Sequence, residues 1–132
     1  MQNAVDANER KRILFSDDEL NLGFATKLYL EAEGYEVRLE PKAREALEAA
    51  RSWQPHLIVT DLYKYAPMAG LELLQWLKAD EQTKDIPVLV LSSACNDPAT
   101  RQEVLDAGAW AAWAKPFDPK DLLQAAKDLL GT

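Results

Sequence analysis

Five polar side chains follow short apolar runs, at points where the sequence predicts that buried strands end. Asp17 and Asp18 follow the first run, Asp61 the third, Ser92 the fourth and Lys115 the fifth. Three converging carboxylates cannot all ionise comfortably without a counter-ion, and Mg²⁺ prefers carboxylate oxygens. A carboxylate can also attack a phosphoryl group, whose charge an ammonium and a hydroxyl stabilise. These residue types therefore indicate phosphoryl chemistry at an acidic, metal-binding site.

Alternating strands and helices would bring these residues together. The predicted strands cover residues 13–16, 35–39, 57–60, 88–91 and 109–114. Helical patterns follow, carried by Leu20, Phe24 and Leu28, by Ala43, Ala46, Leu47 and Ala50, by Leu71, Leu74 and Leu77, by residues 99–107, and by Leu122, Leu123, Ala126, Leu129 and Leu130. Five strands alternating with five helices predict an α/β fold with a parallel sheet covered on both faces. In such open sheets the functional crevice lies beyond the carboxyl ends of the strands.

Length and charge limit the classes of function. The chain has 132 residues, which fits one domain, and we expect a loose tail over residues 1–10 and a domain over residues 11–131. The net charge of -7 opposes direct nucleic-acid binding. Cys95 is the single cysteine, which excludes an intramolecular disulfide and suits the cytoplasm. No apolar run approaches the ~20 residues of a membrane span, so we expect no membrane association.

Four motifs resemble those of the bacterial response-regulator receiver domain, in its single-domain, chemotaxis-regulator-like form. They are Ile-Leu-Phe-Ser-Asp-Asp-Glu at 13–19, Pro-His-Leu-Ile-Val-Thr-Asp-Leu at 55–62, Ile-Pro-Val-Leu-Val-Leu-Ser at 86–92, and Gly-Ala at 108–109 with Lys-Pro-Phe-Asp at 115–118. Each motif is weak alone, but four in this order are specific. The resemblance implies a flavodoxin-like (βα)5 fold, doubly wound, with a five-stranded parallel sheet of order 2-1-3-4-5.

The resemblance also implies a role for each site residue. Asp61 would be the phosphoacceptor, and Asp17 and Asp18 the acids that bind Mg²⁺ together with Asp61. The backbone carbonyl of Tyr63 would be a further metal ligand. Ser92 stands at the position of the switch hydroxyl. Lys115 stands at that of the phosphoryl-binding lysine, and we expect its charge to pair with the phosphoryl group or with Asp61.

Three departures from the family pattern bear on signalling. Pro67 and Gly70 stand six and nine residues after Asp61, where the family has proline and glycine at four and eight, so the loop is longer. Tyr63 places a bulky side chain beside the acceptor. Ala112 occupies the position of an aromatic that changes rotamer on activation, and alanine has no rotamers to change.

The resemblance implies a signalling phosphoacceptor rather than an enzyme, although one that assists its own phosphoryl transfer and dephosphorylation. Its partners would be a sensor histidine kinase or histidine phosphotransfer protein and a downstream protein target. One alternative is a degenerate receiver that acts as a phosphorylation-independent interaction module. An aspartyl-phosphate phosphatase is less favoured, since Tyr63 stands where such enzymes place a second acid. Asp17 and Asp18 could also simply cap the first helix, which would leave Asp61 and Lys115 unexplained.

The four tryptophans are candidates for core packing or for a surface that contacts a partner. Trp53 and Trp76 fall on predicted helices and are expected to pack there. Trp110 and Trp113 flank the weak fifth strand, where we expect one to be in the core and the other exposed. Because Ala112 cannot change rotamer, we expect signals to pass through the packing of Trp110 and Trp113.

Overall fold

The structure is a computed structural model that describes residues 10–62 and 69–132. Strands and helices alternate along these residues, as the sequence predicts. The strands are β1 (Arg12–Ser16), β2 (Glu36–Leu39), β3 (Leu57–Thr60), β4 (Val88–Leu91) and β5 (Ala111–Trp113). The helices are α1 (Leu20–Glu31), α2 (Ala43–Trp53), α3 (Ala69–Ala79), α4 (Pro98–Asp106) and α5 (Pro119–Leu130), with a 3-10 turn at Ser93–Asn96. None of the helices in this part of the chain is long and apolar enough to cross a membrane.

The five strands form one parallel sheet in the order β2-β1-β3-β4-β5. This order confirms the flavodoxin-like arrangement. The central strands are apolar and fully buried because helices cover both faces of the sheet. β5 is shorter than predicted, since the chain pairs with β4 only from Ala111 to Trp113.

Each face of the sheet has its own apolar core. On one face, residues of α2, α3 and α4, among them Ala49, Leu74 and Val104, pack against Ile58 and Val90. On the other face, α1 and α5 pack against alternate residues of the same strands. The two faces therefore divide the helices into a group of three and a pair.

Helix α1 does not pack on the sheet with the apolar stripe that identifies it as a helix in the sequence. Its buried residues are Gly23, Thr26 and Leu30. Leu20, Phe24 and Leu28 are 55%, 60% and 65% exposed, although a periodic apolar stripe ordinarily faces the core. The reason is that α1 has apolar or small residues on both sides, and the small residues allow the closer approach to the sheet.

The tryptophans divide between the core and the surface. Trp53 packs against the core under α2, as expected. Trp113 packs against the core under α1 and α5, whereas Trp110 is 44% exposed, which confirms the expected split. The expectation for Trp76 was wrong: it is 38% exposed on the outer side of α3.

Candidate functional site

Three carboxylates meet at the carboxyl edge of the sheet. Asp17, Asp18 and Asp61 each place one oxygen so that these atoms lie within 4.8 Å of one another. The register of the strands produces this arrangement: Ser16 of β1 pairs with Thr60 of β3, so the next residue of each strand leaves the sheet at the same level. Asp17 and Asp61 are each 5% exposed. Such crowding of buried negative charge favours binding of a cation.

Lys115 brings a positive charge to this cluster. Its Nζ donates to Asp17 Oδ2 at 2.6 Å and lies 3.5 Å from Glu19 Oε1. Burial by itself lowers the pKa of Lys115. The hydrogen bond to Asp17 and the negative charges of Asp17, Asp61 and Glu19 outweigh burial and raise this pKa above its ordinary value. The ammonium therefore stays protonated at neutral pH, and its direct partner is Asp17, while Asp61 acts on it through charge alone.

Asp17 is held from two sides. Its Oδ1 accepts a hydrogen bond from the backbone N–H of Glu19 at 3.0 Å, just before α1 begins. Its Oδ2 accepts from Lys115, which lies between β5 and α5. The N-cap residue of α1 is Glu19, and no side chain caps this helix, so capping does not account for Asp17 and Asp18. Asp17 instead links the backbone of Glu19 to the Lys115 ammonium. Glu19, to which the motif assigned no role, joins the rim through Lys115.

Asp61 is positioned by its backbone. Its N–H donates to the Ser16 carbonyl at 3.3 Å, and its own carbonyl accepts from the Thr60 hydroxyl at 3.1 Å. Gly70, in the first turn of α3, packs directly against this peptide, and its N–H donates to the Leu62 carbonyl at 3.0 Å. A Cβ on Gly70 would overlap the Asp61 carbonyl oxygen. In the sequence, Gly70 stands out only because it lies one residue farther from Asp61 than the family's loop glycine. Its place directly before the predicted third helix is the one feature of the sequence that could have indicated this close approach.

Ser92 directly follows β4 and is 3% exposed. Its Oγ accepts the N–H of Ala94 at 3.1 Å and so starts the 3-10 turn, and its N–H donates to the Trp113 carbonyl at 3.0 Å. Ser93, which could compete for the same role, is exposed. Ser92 is therefore the hydroxyl held at the end of β4, and it is tied to β5 by a backbone hydrogen bond.

Two predicted features of the site fall outside the residues that the structure describes, and so does the predicted tail up to residue 9. Tyr63, expected to offer a backbone carbonyl to the metal, and Pro67 of the lengthened loop both lie within residues 63–68. The role of Tyr63 stays a prediction. Ala112 lies in β5, where it is 9% exposed and packs against the core on the α4 side.

Known proteins resemble this chain over most of its length. The polar-differentiation response regulator DivK of Brucella ovis is 31% identical over 119 residues, which cover 90% of this chain and 94% of DivK. A CheY-like response regulator receiver domain protein from Methanospirillum hungatei is 33% identical, with a TM-score of 0.82 over 92% of this chain and 94% of the other. The chemotaxis response regulator CheY4 of Vibrio cholerae is 28% identical, with a TM-score of 0.81 over 91% and 98%.

The model of the response regulator receiver domain family matches residues 13–127. This range contains all four sequence motifs, the acidic cluster and Lys115. An acidic pocket of this kind is typical of the phosphoacceptor site of receiver domains. The chain belongs to the response regulator receiver domain family.

Proposed function

We propose that Asp61 is the phosphoacceptor of this receiver domain. It would take its phosphoryl group from the phosphohistidine of a sensor histidine kinase or a histidine phosphotransfer protein. The observation that supports this choice is the meeting of Asp61 with two further carboxylates and a protonated lysine. Among these acids, Asp61 alone follows the central strand of the sheet. The functional unit would be residues 11–131, with residues 1–10 as a tail.

Receiver domains bind Mg²⁺ in such acidic pockets, and the residues here fit that ion. Asp17, Asp18 and Asp61 offer oxygen atoms close enough to share one small cation. The three aspartates would hold the ion, with the Tyr63 carbonyl as a further ligand. The ion would supply charge neutralisation to the incoming phosphoryl group.

The chain's own residues would then carry out the transfer. A carboxylate oxygen of Asp61 attacks phosphorus, the P–O bond forms, and the P–N bond to the donor imidazole breaks. The Lys115 ammonium pairs with a phosphoryl oxygen and gives up part of its interaction with Asp17 to do so. The Ser92 oxygen already accepts from the Ala94 N–H, so its own proton is available for another phosphoryl oxygen.

The output would be contact with a downstream protein rather than with nucleic acid. The net charge of -7 opposes binding to phosphates. The relatives named above are response regulators of polar differentiation and of chemotaxis. We place the reaction in the cytoplasm, the compartment expected from the single cysteine.

Intact mass after incubation with Mg²⁺ and acetyl phosphate tests the proposal. We expect the wild-type protein to gain one phosphoryl group and Asp61→Asn to gain none. Glu40→Gln is the matched control, because Glu40 directly follows β2 at the same edge of the sheet and is paired with Arg38. It should be phosphorylated like the wild type.

Two results would overturn the assignment. Phosphorylation that persists in Asp61→Asn would move the acceptor to another acid. If no phosphorylation of the wild type occurred from acetyl phosphate or from a phosphorylated phosphotransfer protein, the chain would be a phosphorylation-independent module. The alanine at position 112 is the observation that favours that alternative.

A further inference from the structure

A groove with an unusual combination of side chains lies between the edge strand β5 and helix α5. Its volume is about 450 Å³. The lining residues are Trp110, Trp113, Asp121, Gln124, Ala125 and Asp128. The four α5 residues follow the spacing i, i+3, i+4 and i+7, so they form one side of that helix. The groove therefore has an aromatic wall from Trp113 of β5 and Trp110 just before it, and an acidic wall from α5.

The two walls favour the same kind of ligand. The face of an indole ring attracts cations, and Trp110 is 44% exposed. Asp121 and Asp128 add two negative charges, and no basic side chain of the described residues lines the groove. Asp128 is oriented by Gln124, whose Nε2 donates to its Oδ1 at 2.9 Å. An arginine guanidinium suits this environment, since it stacks on an indole and binds a carboxylate with its edge.

A second groove shows that an exposed tryptophan does not by itself select a cation. Trp76 of α3 lines a groove of about 340 Å³ together with Arg44, Arg51 and Asp80. Two positive charges line that groove, and Asp80 is already paired with Arg51 at 2.6 Å. A cationic ligand would be repelled from the Trp76 groove and attracted to the Trp110 groove.

We propose that the groove of Trp110, Trp113, Asp121 and Asp128 binds an arginine-bearing segment of a partner protein. The charge of the groove is complementary to such a segment and repels the phosphates of nucleic acids and of acidic lipids. β5 is an edge strand, so an extended segment can approach its exposed side. Recognition of the partner at this groove does not depend on phosphorylation of Asp61.

The test uses a defined probe with the full chain. The probe is a peptide of alternating arginine and alanine, and its matched peptide carries citrulline, the neutral isostere, in place of each arginine. We expect the arginine peptide to shift the indole NMR signals of Trp110 and Trp113 and the citrulline peptide to leave them in place. From the strength of exposed cation–π and ion-pair contacts, Trp110→Ala and Asp128→Asn should each weaken binding about two- to fivefold.

Two control variants separate this site from general attraction to an acidic protein. Asp106→Asn removes one negative charge, as Asp128→Asn does. Asp106 is a matched control because it also accepts a hydrogen bond from a glutamine four residues earlier, Gln102, at 2.8 Å. Trp76→Ala removes a similarly exposed indole. Both should bind the arginine peptide like the wild type. Equal losses in Asp106→Asn and Asp128→Asn, or equal binding of the citrulline peptide, would overturn the proposal, because binding would then reflect net charge or no charge at all.

Discussion

Helices α1 and α5 occupy similar places in the fold but expose very different surfaces. Both begin at the acidic edge of the sheet, both pack on the same face, and they contact each other. The exposed residues of α1 are uncharged: Leu20, Asn21, Phe24, Ala25 and Leu28. The exposed residues of α5 include three charged side chains: Lys120, Asp121 and Asp128. Position in the fold therefore does not determine the character of the outer surface.

The inner faces of the two helices differ as well. α5 buries Leu122 and Ala126, as an amphipathic helix with one apolar stripe should. α1 buries Gly23, Thr26 and Leu30, and its larger apolar stripe stays outside. Burial in the core thus accounts for the apolar residues of α5 but not for Leu20, Phe24 and Leu28.

The largest expected difference concerns one leucine from each helix. Leu122→Ala should lower the free energy of unfolding by about 2–5 kcal/mol, because Leu122 is fully buried and its truncation leaves a cavity in the core. Leu28→Ala should change it by only about 0.5 kcal/mol, since Leu28 is 65% exposed and alanine is a good helix former. Urea denaturation of both variants gives the comparison. Equal losses would mean that the outer stripe of α1 is buried in solution.

The second difference concerns two lysines near α5. In Lys115→Met, the nearly buried Asp17 would lose its cation, and we expect the free energy of unfolding to fall by about 1–3 kcal/mol, less than for a fully buried pair. Lys127→Met should cost only about 0–1 kcal/mol, because Lys127 and Glu33 are both exposed and lie 3.9 Å apart. Urea denaturation at pH 7.5 without Mg²⁺ measures both.

The pH dependence of the Lys115 contribution follows from the direction of its pKa. Because the folded protein raises the pKa of Lys115, the contribution is complete below the ordinary lysine pKa and is lost only as pH rises through the raised value. The difference between wild type and Lys115→Met should therefore stay constant from pH 6 to 9. A difference that grew or vanished within that range would assign the effect to another group.

Much of the fold and of the site follows from sequence, and the exceptions have physical reasons. Apolar runs identify the strands because both sheet faces are covered, and residues after parallel strands must meet at one edge. Asp17, Asp18, Asp61 and Lys115 come together for that reason. The buried side of α1 was not predictable, since periodicity locates a stripe but not what covers it.

Two details of the site depend on tertiary geometry that no local pattern records. Lys115 pairs with Asp17 rather than Asp61, and this choice is set by how β1 and the segment after β5 approach each other. Gly70 lies against the Asp61 peptide because α3 begins there. Lys115 is distant in sequence from Asp17, and Gly70 is separated from Asp61 by eight residues, so the spacing within a motif does not predict either contact.

A smaller, stabilising effect is expected for a substitution of Gly23 on the inner face of α1. A Cβ on Gly23 would lie 3.6 Å from the nearest Leu39 methyl, which is an ordinary contact. Gly23→Ala should therefore raise the free energy of unfolding by about 0.5–1 kcal/mol through helix propensity. Thermal or urea denaturation would measure it. Gly70→Ala is the contrasting variant, because its Cβ would overlap the Asp61 peptide; a loss of stability in Gly23→Ala would show that α1 lies closer to the sheet than described.

The smallest expected effect is spectroscopic and concerns how the α5 side senses the acidic edge. Ser92 donates its N–H to the Trp113 carbonyl, so a movement of Ser92 toward a ligand on Asp61 is passed directly to β5. Ala112 has no rotamer to change, and Trp113 is the adjacent large side chain. With beryllofluoride and Mg²⁺ bound, we expect the indole NMR signal of Trp113 to shift most, that of Trp110 less, and that of Trp76 least.

Phe24 of α1 supplies the matching reference on the other helix. It is 60% exposed and has no hydrogen-bonded link to Ser92 among the described residues, so its ring signals should move less than those of Trp113. A ligand shifts a protein between two states only through contacts that differ between them. A ligand on Asp61 would make such a contact with Ser92, and the Ser92–Trp113 hydrogen bond would then pass the shift from β4 to β5. If Trp110 and Trp113 stay unchanged while Asp61 is saturated, this route is wrong, and the response would lie near the lengthened segment from Tyr63 to Gly70.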